Sequence, residues 1–232
     1  MYGRLASAQP SASVNSSTSP TGRRRPPRYN IAPSQAVPAV IENRETGVRE
    51  FRPLRWSLVP SWAKDPAIGN RMINARSETA ATKPAFRNPM RERRCLILAD
   101  GFYEWKREGP RKQPDHIKFK NGDPFAFAGL RDRWQPPDGD PLETCTILTT
   151  TPNELMHVIH DRMPVILPSR AYNLWLDSAI RDVDPVQALL TPYPADAMIA
   201  YPVVSTRVNN PAHDTPECIE PLAEPGFPVP QS

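Results

Sequence analysis

After Tyr29 the chain is dominated by short runs of apolar residues broken by turn formers. Six of them, at 36–42 (AVPAVIE), 49–59 (REFRPLRWSLV), 93–105 (RRCLILADGFYEW), 116–120 (HIKFK), 124–134 (PFAFAGLRDRW) and 144–150 (TCTILTT), are rich in β-branched and aromatic residues and bounded by Gly, Pro or Asp. That composition suits a pleated, half-buried surface, so each is a predicted strand. Asn121-Gly122 between the fourth and fifth runs predicts a hairpin, because both central positions of a tight hairpin turn need φ > 0. Helical text is scarcer: 75–87, 152–159, 169–179 and 184–190, with Leu174 and Trp175 turned toward the core. The 30 prolines recur throughout, and each removes a backbone donor and fixes φ, which cuts the chain into short elements. No internal repeat is evident and strands do not alternate regularly with helices, so the predicted class is α+β around a mostly antiparallel sheet.

Residues 6–28 (ASAQPSASVNSSTSPTGRRRPPR) are poor in apolar side chains, rich in Ser and Pro, and end in a basic cluster. Such text cannot bury enough surface to offset its ordering entropy, so it is expected to be loosely held, as is the tail 224–232. A length of 232 residues allows one large domain or two small ones. The charge is uneven: residues 1–100 carry 17 Lys+Arg against 7 Asp+Glu, and residues 101–232 carry 12 against 18. The first part thus offers a surface to an anionic partner, nucleic acid above all, although a solvated basic face has the same signature. Cys95, Cys145 and Cys218 are odd in number and widely spaced, which argues for free thiols in a reducing compartment and against a disulfide framework or a zinc site. No run approaches the roughly 18 apolar residues of a membrane span. The Ser/Ala/Pro-rich start has no apolar signal core, so a cytoplasmic location is expected.

Four polar islands interrupt the apolar text: Asn74, Arg76 and Glu78 in RMINARSETAA; Glu104 in ADGFYEW; His160-Asp161-Arg162 in VIHDRMPVIL; and Arg4 near the N-terminus. A carboxyl among Phe102, Tyr103 and Trp105 is expected to have a raised pKa through desolvation, and histidine titrates near neutrality, so the set suits proton transfer at pH 7. Each also has an ordinary structural role. Glu104 can pair with Arg76 or Arg162, His160 can serve as a hydrogen-bonding residue, Asn74 as a turn or cap, and Cys95 as a small core residue. GxSxG, HExxH, P-loop and GxGxxG signatures are absent, which removes the common hydrolase and nucleotide-binding readings. Arg4, Arg55, Lys64, Arg76, Lys83 and Arg87 with Trp56 and Trp62 interleaved have the composition of a single-strand binding surface. Trp56 sits mid-strand and reads as core, and Trp62, in the turn-like VPSWAKDP, is the better base-stacking candidate.

Several stretches together resemble the SOS response-associated peptidase (SRAP) family: Gly3-Arg4, RYNIAPSQ (28–35), RWSLVPSWAKDP (55–66), INARSETAATKPAF (73–86), RRCLILADGFYEWKR (93–107), HDRMPVILP (160–168) and VVSTRVNNPAHDTPECIEPL (203–222). The resemblance implies one SRAP-type domain over 1–232, with a barrel-like mixed fold, a positively charged cleft, no cofactor and no metal. It implies a monomer that senses abasic sites in single-stranded DNA, using an N-terminal Cys at position 2. In the family the α-amine of that Cys attacks the ring-opened sugar aldehyde, and its thiol closes a stable thiazolidine crosslink. Peptidase-like self-removal is associated with the same nucleophile. Carried over residue by residue, Asn74 hydrogen-bonds the N-terminal group, Glu104 assists proton transfer and His160 acts as acid–base. Arg4, Arg76 and Arg162 meet phosphate, and Asn30, Trp62 and Lys83 complete the expected DNA-binding set. The chain departs from the pattern twice. The text between Arg4 and Arg28 lacks the expected helix formers, and Tyr2 stands where the family has Cys. A phenol cannot close a five-membered ring on the adjacent imine, and a bulky second residue is expected to leave Met1 in place.

Overall fold

The computed structural model describes residues 4–7 and 26–222. Its strands are, in chain order, β1 (Arg4–Ser7), β2 (Arg28–Ile31), β3 (Ala36–Glu42), β4 (Arg49–Trp56), β5 (Asn74–Arg76), β6 (Arg94–Ala99) and β7 (Gly101–Glu108). They continue with β8 (Arg111–Phe119), β9 (Phe125–Trp134), β10 (Leu142–Thr150), β11 (Met163–Pro164), β12 (Ile166–Leu167) and β13 (Met198–Pro202). Strands β10, β4, β3, β6 and β9 pair in that order, and β9 pairs back onto β10, which closes a five-stranded barrel. Only the β10 pairings with β4 and β5 are parallel. A second, wholly antiparallel sheet runs β13-β8-β7-β1-β2. The α+β class and the barrel expected from the sequence are therefore what the chain adopts.

Alternation along the barrel strands sends one set of side chains inward and the next outward. Ala39, Leu54, Trp56, Ile97, Phe127 and Ile147 fill the inner core. Val40, Leu96, Ala128, Leu130 and Leu148 face outward onto Met90, Trp175 and Leu176 of the covering helices. Two constraints at this core depend on glycine. A methyl at Gly129 would lie 2.8 Å from Cys95 Sγ, and one at Gly101 would lie 2.2 Å from Nε2 of His116. Arg94 is buried in the outer layer, where its guanidinium donates to the carbonyls of Met90 (2.8 Å), Arg91 (3.0 Å), Trp175 (2.6 Å), Asp177 (2.5 Å) and Ile180 (3.0 Å). One cation thus satisfies the open C-terminal ends of the helices Arg87–Glu92 and Tyr172–Leu176, which would otherwise be buried unpaired.

Several expectations need correction. Asn121-Gly122 does form a turn, with Gly122 at φ 76°, but no hairpin, because β8 and β9 belong to different sheets. Packing overrides the local signal there: Phe119 and Phe125 meet at 4.7 Å between ring centres as the chain crosses from one sheet to the other. The run 93–105 breaks at Asp100 into β6 and β7 and so contributes to both sheets. The predicted helix 75–87 is a short strand, the helix Ser77–Ala80 and turns, because β10 offers an open edge to residues 74–76. Residues 6 and 7 of the segment read as loose belong to β1, with Ala6 buried; residues 8–25 and the tail 224–232 lie outside the described residues. No helix among the described residues is long and apolar enough to cross a membrane.

Candidate functional site

The second sheet lies against the barrel so that β1 and β7 face the ends of β4, β5 and β10. Between them opens a pocket lined by Arg4, Trp56, Asn74, Phe102, Glu104 and Pro164, with Leu5, Tyr103 and Ile147 completing the wall. Each polar member is placed by sheet register. Asn74 begins β5 opposite Ile147, and the preceding carbonyl, that of Ile73, accepts from Trp56 Nε1 at 2.7 Å. Trp56 is buried, as its mid-strand position predicted, yet it also forms pocket wall. Glu104 sits in the middle of β7, is 2 % exposed, and its Oε1 accepts from the Trp105 amide at 3.3 Å. A carboxyl group kept from water in a pocket wall suits proton transfer better than a solvated one does.

Arg4 is half-buried on β1 and donates to Asn30 Oδ1 (3.1 Å) and to the Asn209 carbonyl (3.2 Å); desolvation lowers its pKa. Asn30 is fully buried, behind Arg4 and away from the surface. Its amide donates to the carbonyls of Val208 (3.2 Å), Asn210 (3.0 Å) and His213 (2.8 Å). Asp214 completes this clasp, accepting from the amides of Tyr29 (2.5 Å) and Asn30 (2.9 Å) and from the Arg28 guanidinium. Trp105 Nε1 joins it through Asn209 Oδ1 at 2.9 Å. Sequence reasoning took Trp105 only as part of the aromatic setting of Glu104 and passed over Asn209 and Asp214, whose only signal was their place in the long quoted stretches.

His160 is not among the residues that line the pocket; it lies on the segment that leads into Pro164, which is. Its backbone amide donates to Met156 (2.8 Å), which ties it to the helix Glu154–His157. That helix is capped by Asn153, which accepts from the Met156 amide at 2.9 Å and donates to the Tyr193 carbonyl at 2.7 Å. His160 Nδ1 accepts from the Arg162 amide at 3.0 Å and lies 2.8 Å from Asp161 Oδ1. One nitrogen cannot accept from the amide and donate to the carboxylate together. Burial lowers the His160 pKa, so the neutral ring with Nδ1 as acceptor is the form that the site favours, leaving Nε2 for proton transfer.

Around the pocket the remaining candidates separate. Arg76 and Lys83 are exposed, as are Arg55, Lys64 and Arg87. Trp62 is 59 % exposed, and its loop is held on both sides: the Ser61 amide donates to Asp132 Oδ2 (3.1 Å) and Trp134 Nε1 donates to the Ala63 carbonyl (2.7 Å). Arg162 is taken up by Glu78, with hydrogen bonds of 2.7 and 2.9 Å, and not by Glu104. Tyr2 lies outside the described residues. Among the described residues no three His, Cys, Asp or Glu side chains gather as a metal ion would require. Cys95, Cys145 and Cys218 are free and buried, and burial pushes the Cys95 thiol up to about 12.

Known proteins resemble this chain along most of its length. The chain is 52% identical over 195 residues to the abasic site processing protein YoqW of Bacillus subtilis, covering 84% of this chain and 86% of that protein. It is 36% identical over 231 residues to the abasic site processing protein HMCES of Gallus gallus, covering 87% of this chain and 68% of that one. A crystal structure of a protein from Bacteroides thetaiotaomicron superposes with a TM-score of 0.77 at 28% identity, covering 84% of this chain and 85% of the other. The sequence profile of the family "SOS response associated peptidase (SRAP)" matches residues 1–211. On that match, and with relatives of this similarity along most of its length, the chain belongs to the SRAP family.

Proposed function

We propose that the chain processes abasic sites in single-stranded DNA in the DNA damage response; abasic site processing is what its relatives' names say of them. The observation that carries this reading is the buried carboxyl group of Glu104 in a pocket walled by Asn74 and by Arg4, the first residue of β1. A chain-terminal amine and the aldehyde of a ring-opened abasic sugar condense to an imine with loss of one water. Glu104 and His160 Nε2 supply and remove the protons of that dehydration, and Asn74 orients the amine. Arg4 and the exposed cations Arg76 and Lys83 meet the flanking phosphates, while Trp62 stacks on a base.

Tyr2 sets the limit of this chemistry. In the family a thiol two carbons from the amine traps the imine as a five-membered ring. The phenol oxygen of Tyr2 is too far along its side chain to do so, so this chain stops at a reversible Schiff base and its crosslinking is impaired. The same substitution favours a second reading, a non-catalytic single-strand binding module that only shields the lesion. Incubation with abasic single-stranded DNA followed by a denaturing gel separates the two. The primary reading expects an adduct that survives only after borohydride reduction, a heat-stable adduct from Tyr2→Cys, and slowing of the latter by Glu104→Gln. A heat-stable adduct with Tyr2 in place would overturn the limit assigned to Tyr2. Salt-dependent binding without any adduct, even from Tyr2→Cys, would establish the binding module instead.

A further inference from the structure

We infer that Glu78 occupies, in the free protein, the guanidinium face of Arg162 that a DNA phosphate takes up, so that strand binding exchanges one anion for another. The inference rests on the DNA-binding reading above. Two parallel hydrogen bonds join the pair, Nη1 to Oε1 at 2.7 Å and Nη2 to Oε2 at 2.9 Å, the fork geometry by which arginine also holds phosphate. The two partners differ in freedom. The Arg162 side chain is 17% exposed and is fixed from behind by the Thr149 carbonyl at 2.5 Å. Its Nε is enclosed, without a hydrogen-bond partner among the described residues, so the edge facing Glu78 is the one it presents outward. Glu78 is 47% exposed, in the first turn of the helix Ser77–Ala80, and can swing into water. Arg162 is thus the fixed half and Glu78 the displaceable one. Hydrogen bonding from Arg162 holds the Glu78 carboxyl below the usual carboxylate range, so it is ionised whenever a phosphate approaches.

Exchange of this kind discriminates. A tethered carboxylate competes at high effective concentration, which a free phosphate or chloride ion cannot match. A strand already held at Arg4, Arg76 and Trp62 presents its phosphate with the same advantage and displaces it. Glu78 is then a specificity-determining residue that suppresses stray anions and selects ligands with several points of attachment.

Fluorescence anisotropy with a single-stranded oligonucleotide carrying one abasic site tests this in the full chain. Glu78→Gln, which is isosteric and half-exposed, is expected to tighten binding about fivefold at low salt, the range of one partly exposed ion pair. In an Arg162→Gln background the same change should leave the affinity nearly unaltered. An equal gain in both backgrounds would overturn the inference, since Glu78 would then only repel DNA at a distance; weaker binding by Glu78→Gln would do so too. Carboxyl NMR of the unsubstituted chain gives a second reading, independent of how Arg162→Gln folds: the Glu78 midpoint should move up to the ordinary range on saturation with the strand. An unmoved midpoint would overturn the exchange. Absence of any strand binding by the unsubstituted chain would instead overturn the DNA-binding reading itself.

Discussion

Acidification is expected to unfold this protein partly through one histidine packed behind the pocket wall. His116 lies on β8, 3% exposed, packed between Tyr103 and Tyr201. Tyr201 spends its only hydroxyl proton on the Ile219 carbonyl at 3.0 Å, so the His116 contact with the Tyr201 oxygen at 2.9 Å must be donated by Nδ1–H. Nε2 therefore carries the lone pair, and it is buried without a partner among the described residues, against Gly101. Protonation would create a buried N–H with no acceptor. Burial, with a smaller contribution from Lys118, lowers the His116 pKa from 6.5 to about 3. The folded value lies below the unfolded one, so the contribution to stability is intact above pH 6.5 and is lost as pH falls from there toward 3, where the unfolded chain binds a proton that the folded one refuses. At about pH 4.5 the linkage amounts to about 2.7 kcal/mol, or roughly 5–11 °C in Tm for a chain of this size. His116→Gln keeps an N–H for Tyr201 and does not titrate in this window. Urea unfolding of both proteins across that pH range should show the unsubstituted chain losing about 2–3 kcal/mol more than the variant. Carboxylates titrate in both and cancel. Parallel stability curves, within about 0.5 kcal/mol, would refute the assignment.

Gly129→Ala should cost about 1–3 kcal/mol in denaturant unfolding, because the added methyl meets Cys95 Sγ at 2.8 Å and Ile97 Cδ1 at 2.9 Å; Cys95→Ala in the same chain should recover part of the loss. Arg94→Leu leaves five carbonyls without their shared donor and is expected to destabilise by about 3–5 kcal/mol, read as a Tm shift. Trp62→Ala should leave Tm almost unchanged, since the ring is 59% exposed, while weakening single-strand affinity by about 1–3 kcal/mol in anisotropy titrations.

The barrel strands were legible because β3, β4, β6, β9 and β10 bury one or both faces and so write their period into the chain. β1, β2 and β5 were not, being three or four residues long and stabilised only by pairing with strands distant in sequence, which leaves no local pattern. Among site residues, Asn74 and Glu104 stood out as polar groups in apolar text, and both line the pocket. Arg162 shows the converse: its charge was evident, but the anion that holds it, Glu78, lies 84 positions away and no spacing rule connects them. The burial of Asn30 was not legible either, because the carbonyls that accept from it belong to residues 208–213.

The shared strand β10 also bears on when the site comes into being. It pairs with β4, β5, β9 and β11, so the pocket wall formed by Asn74, Ile147 and Pro164 has no shape until segments from both ends of the chain have met. Pairings of such long sequence separation are slow to form, on a scale of milliseconds to seconds for comparable topologies. A half-made or half-folded chain therefore holds Arg4, Asn74 and Glu104 without holding a pocket. On the proposed reading, capacity to engage a reactive sugar arrives together with the closed barrel, and a chain still emerging from synthesis lacks it.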